Sequence, residues 1–155
     1  MEIKRITLAE SELATALFNK YRVFYKKESD PVLAEKFIRE RLANNESVIF
    51  VAVETENGRA VPAGFTQLYP KYSSVSATKN WILNDLYVDS NYRKRGIGEG
   101  LIKTAMDFAK SKGATFVQLE TAVDNYTAQS LYEAIGFEKQ APEEGYLVYR
   151  IGLPG

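Results

Sequence analysis

The stretch that most restricts what this chain can fold into is "WILNDLYVDSNYRKRGIGEGLI", residues 81–102. An apolar, strand-like segment passes through Arg93, Lys94 and Arg95, reaches glycines at 96, 98 and 100, and enters a helical stripe. Glycines at this spacing leave backbone N–H groups uncovered, and a helix starting there points its positive dipole end at whatever lies above it. The segment therefore reads as a strand–loop–helix junction with the character of an anion site. It commits the chain to layers of helix packed on sheet.

The flanking sequence extends that reading. "EIKRITL" alternates Ile3 and Ile6 with charge, as a first strand does, and residues 9–25 place Leu13, Leu17, Tyr21 and Phe24 along one helical stripe. Asp30 and Pro31 supply the N-cap and first turn of a second helix carrying Leu33, Phe37, Ile38 and Leu42. "SVIFVAVET" and "VPAGFTQLY" flank Asn57-Gly58, a strong hairpin signal, so two antiparallel strands are predicted. The polar stretch 70–80 is expected to be a loop, and the fourth strand follows it. A helix over 97–112 should end at Gly113, "ATFVQLETA" should be the fifth strand, and Asp124-Asn125 should cap a helix ended by Gly136. "FEKQ" and "GYLVYRIGL" are expected to close the chain as a hairpin over "APEEG". The predicted order is β-α-α-β-β-β-α-β-α-β-β, a mixed sheet in a single α/β domain over residues 1–155.

Composition removes several chemistries. Twenty Lys and Arg balance twenty Asp and Glu, so no overall field recruits nucleic acid or an anionic membrane, and any basic site is local. Without cysteine there is no disulfide, thiolate metal site or cysteine nucleophile, and without histidine the usual general base and commonest metal ligand are missing. No metal site is expected. "MEIKRITLAE" has no apolar leader and the longest apolar run, "VIFVAV", is too short to span a bilayer, so a soluble cytoplasmic protein is expected.

Spacing then separates the glycine motif from its rivals. A P-loop needs Lys-Ser/Thr after its last glycine, where Leu101 and Ile102 stand. A dinucleotide fingerprint starting at Gly96 needs a glycine at position 101, which is again Leu101. Arg93, Gly96 and Gly98 instead fit Gln/Arg-x-x-Gly-x-Gly/Ala, the pyrophosphate loop of the GNAT N-acetyltransferases. The chain resembles that superfamily over nearly its whole length: "LNDLYVDSNYRKRGIGEGLI" is similar to its fourth strand, loop and third helix, and "VDNYTAQSLYEAIGFEK" to its second acetyl-CoA segment.

The resemblance implies acetyl-CoA as co-substrate. The backbone of Leu86, Tyr87 and Val88 would pair with the pantetheine arm, and a β-bulge near Leu86 would free an N–H for the thioester carbonyl. The amides of Arg93, Lys94, Arg95, Gly96, Ile97 and Gly98 would hold the pyrophosphate, with Asn125 on the pantetheine. Tyr132 would be the acid that protonates the departing thiolate. Many members carry Glu at the position of Asn84, so the base falls by elimination to Asp85 or Glu120, directly or through a water. Side-chain parity on a regular strand puts 85 and 87 on one face and 84 and 86 on the other. The implied activity is transfer of acetyl to a primary amine: a small amine, a polyamine, an amino acid or a peptide lysine. The rival reading is a CoA-binding regulatory module without turnover. The apolar strand 145–153 would pair two copies into a homodimer.

Overall fold

The computed structural model describes residues 1–142 and 145–155. By its internal packing the chain divides into two compact units, Met1–Glu120 and Thr121–Gly155. The first unit holds a five-stranded sheet in which neighbours in the chain are neighbours in space, β1 (Glu2–Arg5), β2 (Val48–Glu56), β3 (Arg59–Ser73), β4 (Thr78–Val88) and β5 (Val117–Gln118). The first four are antiparallel, and β5 runs parallel to β4.

Helices α1 (Glu12–Phe24) and α2 (Pro31–Ala43) cover one face of this sheet, and α3 (Ile97–Ser111) covers the other. Alternation along β2 sends Ile49, Val51 and Val53 into a core with Leu17 and Phe18 of α1 and Ile38 of α2. Phe50 points the other way, onto Phe108 of α3 at 5.7 Å between ring centroids. A strand buried on both faces must be apolar throughout, which is how "VIFVAV" reads. The local signals perform as expected at several joints. Asp30 accepts from the Leu33 N–H at 3.0 Å with Pro31 behind it, and Asn57 and Gly58 take the positive φ angles, 50° and 75°, of a tight hairpin turn.

Four expectations are corrected. Residues 70–80 are mostly strand: β3 and β4 extend as a two-stranded ribbon, with Pro70 opposite Trp81 and Tyr72 opposite Lys79, around a turn at 74–77. The ribbon projects past the start of β2, so Pro70 has a partner on one side only and its missing N–H breaks no ladder. The Lys79 ammonium lies 5.5 Å from the Tyr72 ring across the ribbon and 4.9 Å from that of Trp81 on its own strand, so a polar side chain ties the two strands together. The fifth strand is shorter than expected, and at its start buried Asn80 accepts the backbone N–H groups of Thr115 and Phe116, at 2.7 and 3.1 Å, that a ladder would have used.

The third correction concerns α1. It buries Ala14, Leu17 and Phe18, while Phe24, at the end of the anticipated stripe, is 57% exposed. The last concerns the chain end. In the second unit α4 (Tyr126–Ile135) forms as expected, but among the described residues no strand follows it. "FEKQ" and 145–153 are irregular, and Tyr146, Val148 and Tyr149 are exposed, since alternation makes a strand only where a backbone partner exists. The turn assigned to "APEEG" includes residues 143 and 144, outside those described.

Candidate active site

The glycine segment occupies the joint between β4 and α3. Asp89 accepts from the Asn91 N–H at 3.0 Å and opens a short 3-10 turn over Ser90–Tyr92. Its own N–H donates to the Ala63 carbonyl at 2.8 Å, where an extra residue in β3 makes a bulge, and Lys20 of α1 pairs with its carboxylate at 2.5 Å. That ion pair and the Asn91 N–H hold the Asp89 carboxyl below its ordinary range. Tyr92 is buried and donates to Glu56, which pushes the phenol up to about 12. The joint is thus pinned from both sides before the basic residues begin.

Arg93 donates through Nε to the Val88 carbonyl at 3.0 Å and lies 5.7 Å from the Tyr87 ring. Arg95 lies 5.2 Å from the Tyr92 ring. Lys94 and Gly96 both take positive φ, 63° and 79°, which turns the chain sharply into α3 with Gly96 as its N-cap. The next amides, of Ile97, Gly98 and Glu99, open the helix without intrahelical acceptors and face outward along its axis.

The three glycines have different tasks. Gly96 supplies the backbone angle, Gly98 lies in the first turn, and Gly100 serves packing, because a Cβ there would meet Ile3 Cδ1 at 3.1 Å. A fourth glycine, which the motif search passed over, seats the helix. A Cβ on Gly64 would stand 2.9 Å from the Tyr87 carbonyl and 3.3 Å from Ile97 and Leu101. Its signal in the sequence was a glycine inside a strand, a mark of close backbone approach.

Leu86, Tyr87 and Val88 are half-buried and pair with β3 on one side, opposite Thr66, Phe65 and Gly64. On the other side β5 reaches β4 only at Trp81 and Ile82. From Leu83 to Val88 that edge of β4 has no strand partner among the described residues, so an extended ligand has backbone groups to pair with.

The bulge in β4 lies at Asn84, two residues before the expected position: Gln67 pairs with Asp85 and Leu68 with Leu83, which leaves Asn84 unmatched. This also corrects the parity of the strand. Asn84 Nδ2 donates to Asp85 Oδ1 at 3.0 Å, so the two side chains share a side. Asp85 is 4% exposed, and its other oxygen receives Gln67 Nε2 at 2.5 Å. Ser47 Oγ in turn donates to Gln67 Oε1 at 2.8 Å, which sets which end of the amide faces the carboxylate. Burial and the nearby Asp85 carboxylate raise the Tyr21 phenol far above its usual range and push Tyr69 up to about 12. The Tyr21 hydroxyl lies 3.5 Å from the Asn84 carbonyl. A buried carboxylate held by neutral amides beside two neutral phenols can accept a proton without losing an ion-pair partner, and no ion pair to Asp85 occurs among the described residues. Gln67 and Ser47 were missed by sequence reading. Gln67 was visible as a polar residue, beside Thr66, in the apolar middle of β3, whereas nothing marked Ser47.

Glu120, the other carboxylate considered, is exposed at the end of the first unit. In the second unit Asn125 caps α4, accepting from the Ala128 N–H at 3.1 Å, and the Tyr132 ring packs on Phe137 at 6.0 Å.

Against known proteins, the pattern of the acetyltransferase (GNAT) family matches residues 12–137. The chain is 42% identical over 154 residues to the uncharacterized N-acetyltransferase YhfO of Bacillus subtilis, covering 99% of each. It is 33% identical over 133 residues to a probable acetyltransferase of Haemophilus influenzae, covering 86% of each. A crystal structure of a probable acetyltransferase superposes with a TM-score of 0.86 at 38% identity, over 98% of this chain and 99% of that one.

Proposed function

The chain belongs to the GNAT family of acetyltransferases, and from this we propose that it carries acetyl from acetyl-CoA directly to a primary amine, as one GNAT domain over residues 1–155. The observation that carries the reading is the unpaired edge of β4 at Leu86–Val88 running into the amides at the start of α3. An extended pantetheine arm is complementary to the first, and a pyrophosphate to the second. Arg93, Lys94 and Arg95 add positive charge beside those amides, and the N–H groups around Gly96, Ile97 and Gly98 are the phosphate donors.

An alkylammonium has a pKa of about 10, and the thiol that leaves has one of about 8.5, so one proton must go and another must arrive. In this reading Asp85 takes the ammonium proton, directly or through a water. The amine nitrogen then bonds to the thioester carbonyl carbon, the carbon–sulfur bond breaks, the nitrogen gives up its second proton to solvent as the amide forms, and the thiolate takes the Tyr132 hydroxyl proton, which solvent restores. Asp85 is preferred to Glu120 because it is buried and fixed by Gln67 and Asn84, while Glu120 is exposed. Asn125 is assigned to the pantetheine by its place after the fifth strand. With no cysteine in the chain, transfer passes through no cysteine thioester. The apolar segment 145–153, unpaired by any strand among the described residues, supports a homodimer, for which light scattering at micromolar concentration should give twice the chain mass.

The test is calorimetry with acetyl-CoA on wild type and Gly98→Asp, beside a thiol-release screen of amines. Binding lost in a folded Gly98→Asp protein supports the phosphate loop, because a carboxylate there opposes the pyrophosphate at the helix start. Unchanged affinity overturns it. Acetyl-CoA binding with no amine turned over favours the regulatory alternative.

A further inference from the structure

Resting on the reading that an amine is acetylated beside Asp85, we propose that the preferred acceptor is a small amine with a single positive charge and an aromatic body, its ring lying on a shelf of Tyr21, Phe24, Tyr25 and Tyr87.

The shelf is built by the last turn of α1 against β4. Tyr21 and Tyr25 meet edge to face at 5.0 Å, and Phe24 and Tyr25 do so at 5.3 Å. Tyr87 closes the set at 6.4 Å from both Tyr21 and Phe24. Tyr21 is anchored below on the buried ring of Phe65 at 5.8 Å, which leaves the outer rings as surface: Phe24 and Tyr25 are 57% and 58% exposed. Four rings, each in contact with two of the others and two of them largely uncovered, form an apolar platform that the core does not use.

Charge fixes what the platform fits. At one end the Tyr21 hydroxyl reaches the Asn84 carbonyl, next to the Asp85 carboxylate, whose hydrogen-bond partners are neutral amides. An ammonium supplies the positive charge that this end lacks, and the tyrosine faces add cation–π attraction. At the other end Arg93 stands over Tyr87, so a second ammonium on a longer polyamine meets like charge there. A carboxylate or phosphate near the reacting amine is opposed by Asp85. What remains is one cation joined to a ring that stacks on the shelf.

The probe is 2-phenylethylamine, compared with spermidine and β-alanine. Binding is followed by calorimetry and turnover by thiol release, in wild type, Phe24→Leu and the double variant Phe24→Ala/Tyr25→Ala. These side chains are exposed, so the variants should fold. The expected result is at least ~10-fold higher kcat/KM for 2-phenylethylamine than for either competitor, and a KM for it raised ~10-fold in the double variant with kcat within twofold, the loss expected of stacking contacts. Phe24→Leu should fall between. A preference for spermidine or β-alanine, or a KM that ignores both variants, overturns the shelf. Binding of 2-phenylethylamine that weakens in the double variant, with no turnover of any amine, upholds the shelf and overturns acetyl transfer. Turnover of other amines without binding of 2-phenylethylamine does the reverse.

Discussion

Asn84 donates its side-chain amide to the carboxylate of its own chain neighbour, Asp85, at 3.0 Å, a contact that a regular strand prevents by sending consecutive side chains to opposite faces. The bulge at Asn84 brings the pair together, and with Gln67 on the opposite oxygen it fixes both carboxylate oxygens before any substrate arrives. The side-chain amide of Asn84 thus positions the carboxylate that follows it.

Asp85→Asn should therefore lower kcat by roughly 10²- to 10⁴-fold, the usual contribution of a general base, while acetyl-CoA affinity stays near wild type. Steady-state kinetics with calorimetry on the same preparation checks it. An unchanged kcat would move proton acceptance to Glu120 or to solvent.

Tyr132→Phe keeps the ring that packs on Phe137 and removes the hydroxyl. The chemical step, measured before steady state, should slow by roughly 10- to 10⁴-fold with little change in acetyl-CoA binding, the lower bound allowing for a water that takes its place. A chemical step at wild-type speed would make Tyr132 a packing residue only.

Gly64→Ala should destabilise the fold by about 1–3 kcal/mol, as overpacking does, because the added Cβ would lie 2.9 Å from the Tyr87 carbonyl, a backbone atom that cannot swing aside. Chemical denaturation reads this directly. Acetyl-CoA affinity should fall as well, since the same Cβ would press on Ile97 at the first turn of α3.

The Lys20–Asp89 pair makes a prediction in pH. Asp89 is held below its ordinary range in the folded protein, so its contribution is present above the unfolded carboxylate value of about 3.9 and is lost as pH falls through the lower folded value. Asp89→Asn retains an acceptor for the Asn91 N–H but gives up the charge. It should cost about 1 kcal/mol or less at neutral pH, discounted because Lys20 is partly exposed, and the gap from wild type should close in acid. Urea melts at several pH values would show it. A gap that widened below pH 4 would contradict the linkage.

What could be read from the sequence was local. Asp30-Pro31, Asn57-Gly58 and the glycine loop carry their geometry in their own backbone preferences, so each appeared where the residues indicated. The stripe of α3 likewise found its sheet face. The failures lie where partners decide. Residues 70–80 looked like a polar loop because the ribbon is held by pairing with the opposite strand, as where Lys79 lies against Tyr72, which no single-strand pattern displays. Asn80 claims two amides at the start of β5 from 35 and 36 residues away. The surroundings of Asp85 were half legible: the carboxylate was named, but Gln67 reaches it from β3, Ser47 just before β2 orients that Gln67, and Asn84 joins them only through a bulge that shifts parity.

The order β1-β2-β3-β4, with each strand beside its predecessor in the chain, bears on how the protein is made as well as on what it does. The β2–β3 and β3–β4 pairings each close across a short turn, so they need little loop entropy and belong among the early contacts of folding. The Asp85 network, drawn from Ser47, Gln67 and Asn84, lies wholly within that meander. A nascent chain holds every residue of it before the loop at Arg93–Gly98 has been synthesised, so the half of the site proposed to accept a proton can assemble ahead of the half proposed to grip the cofactor's phosphates.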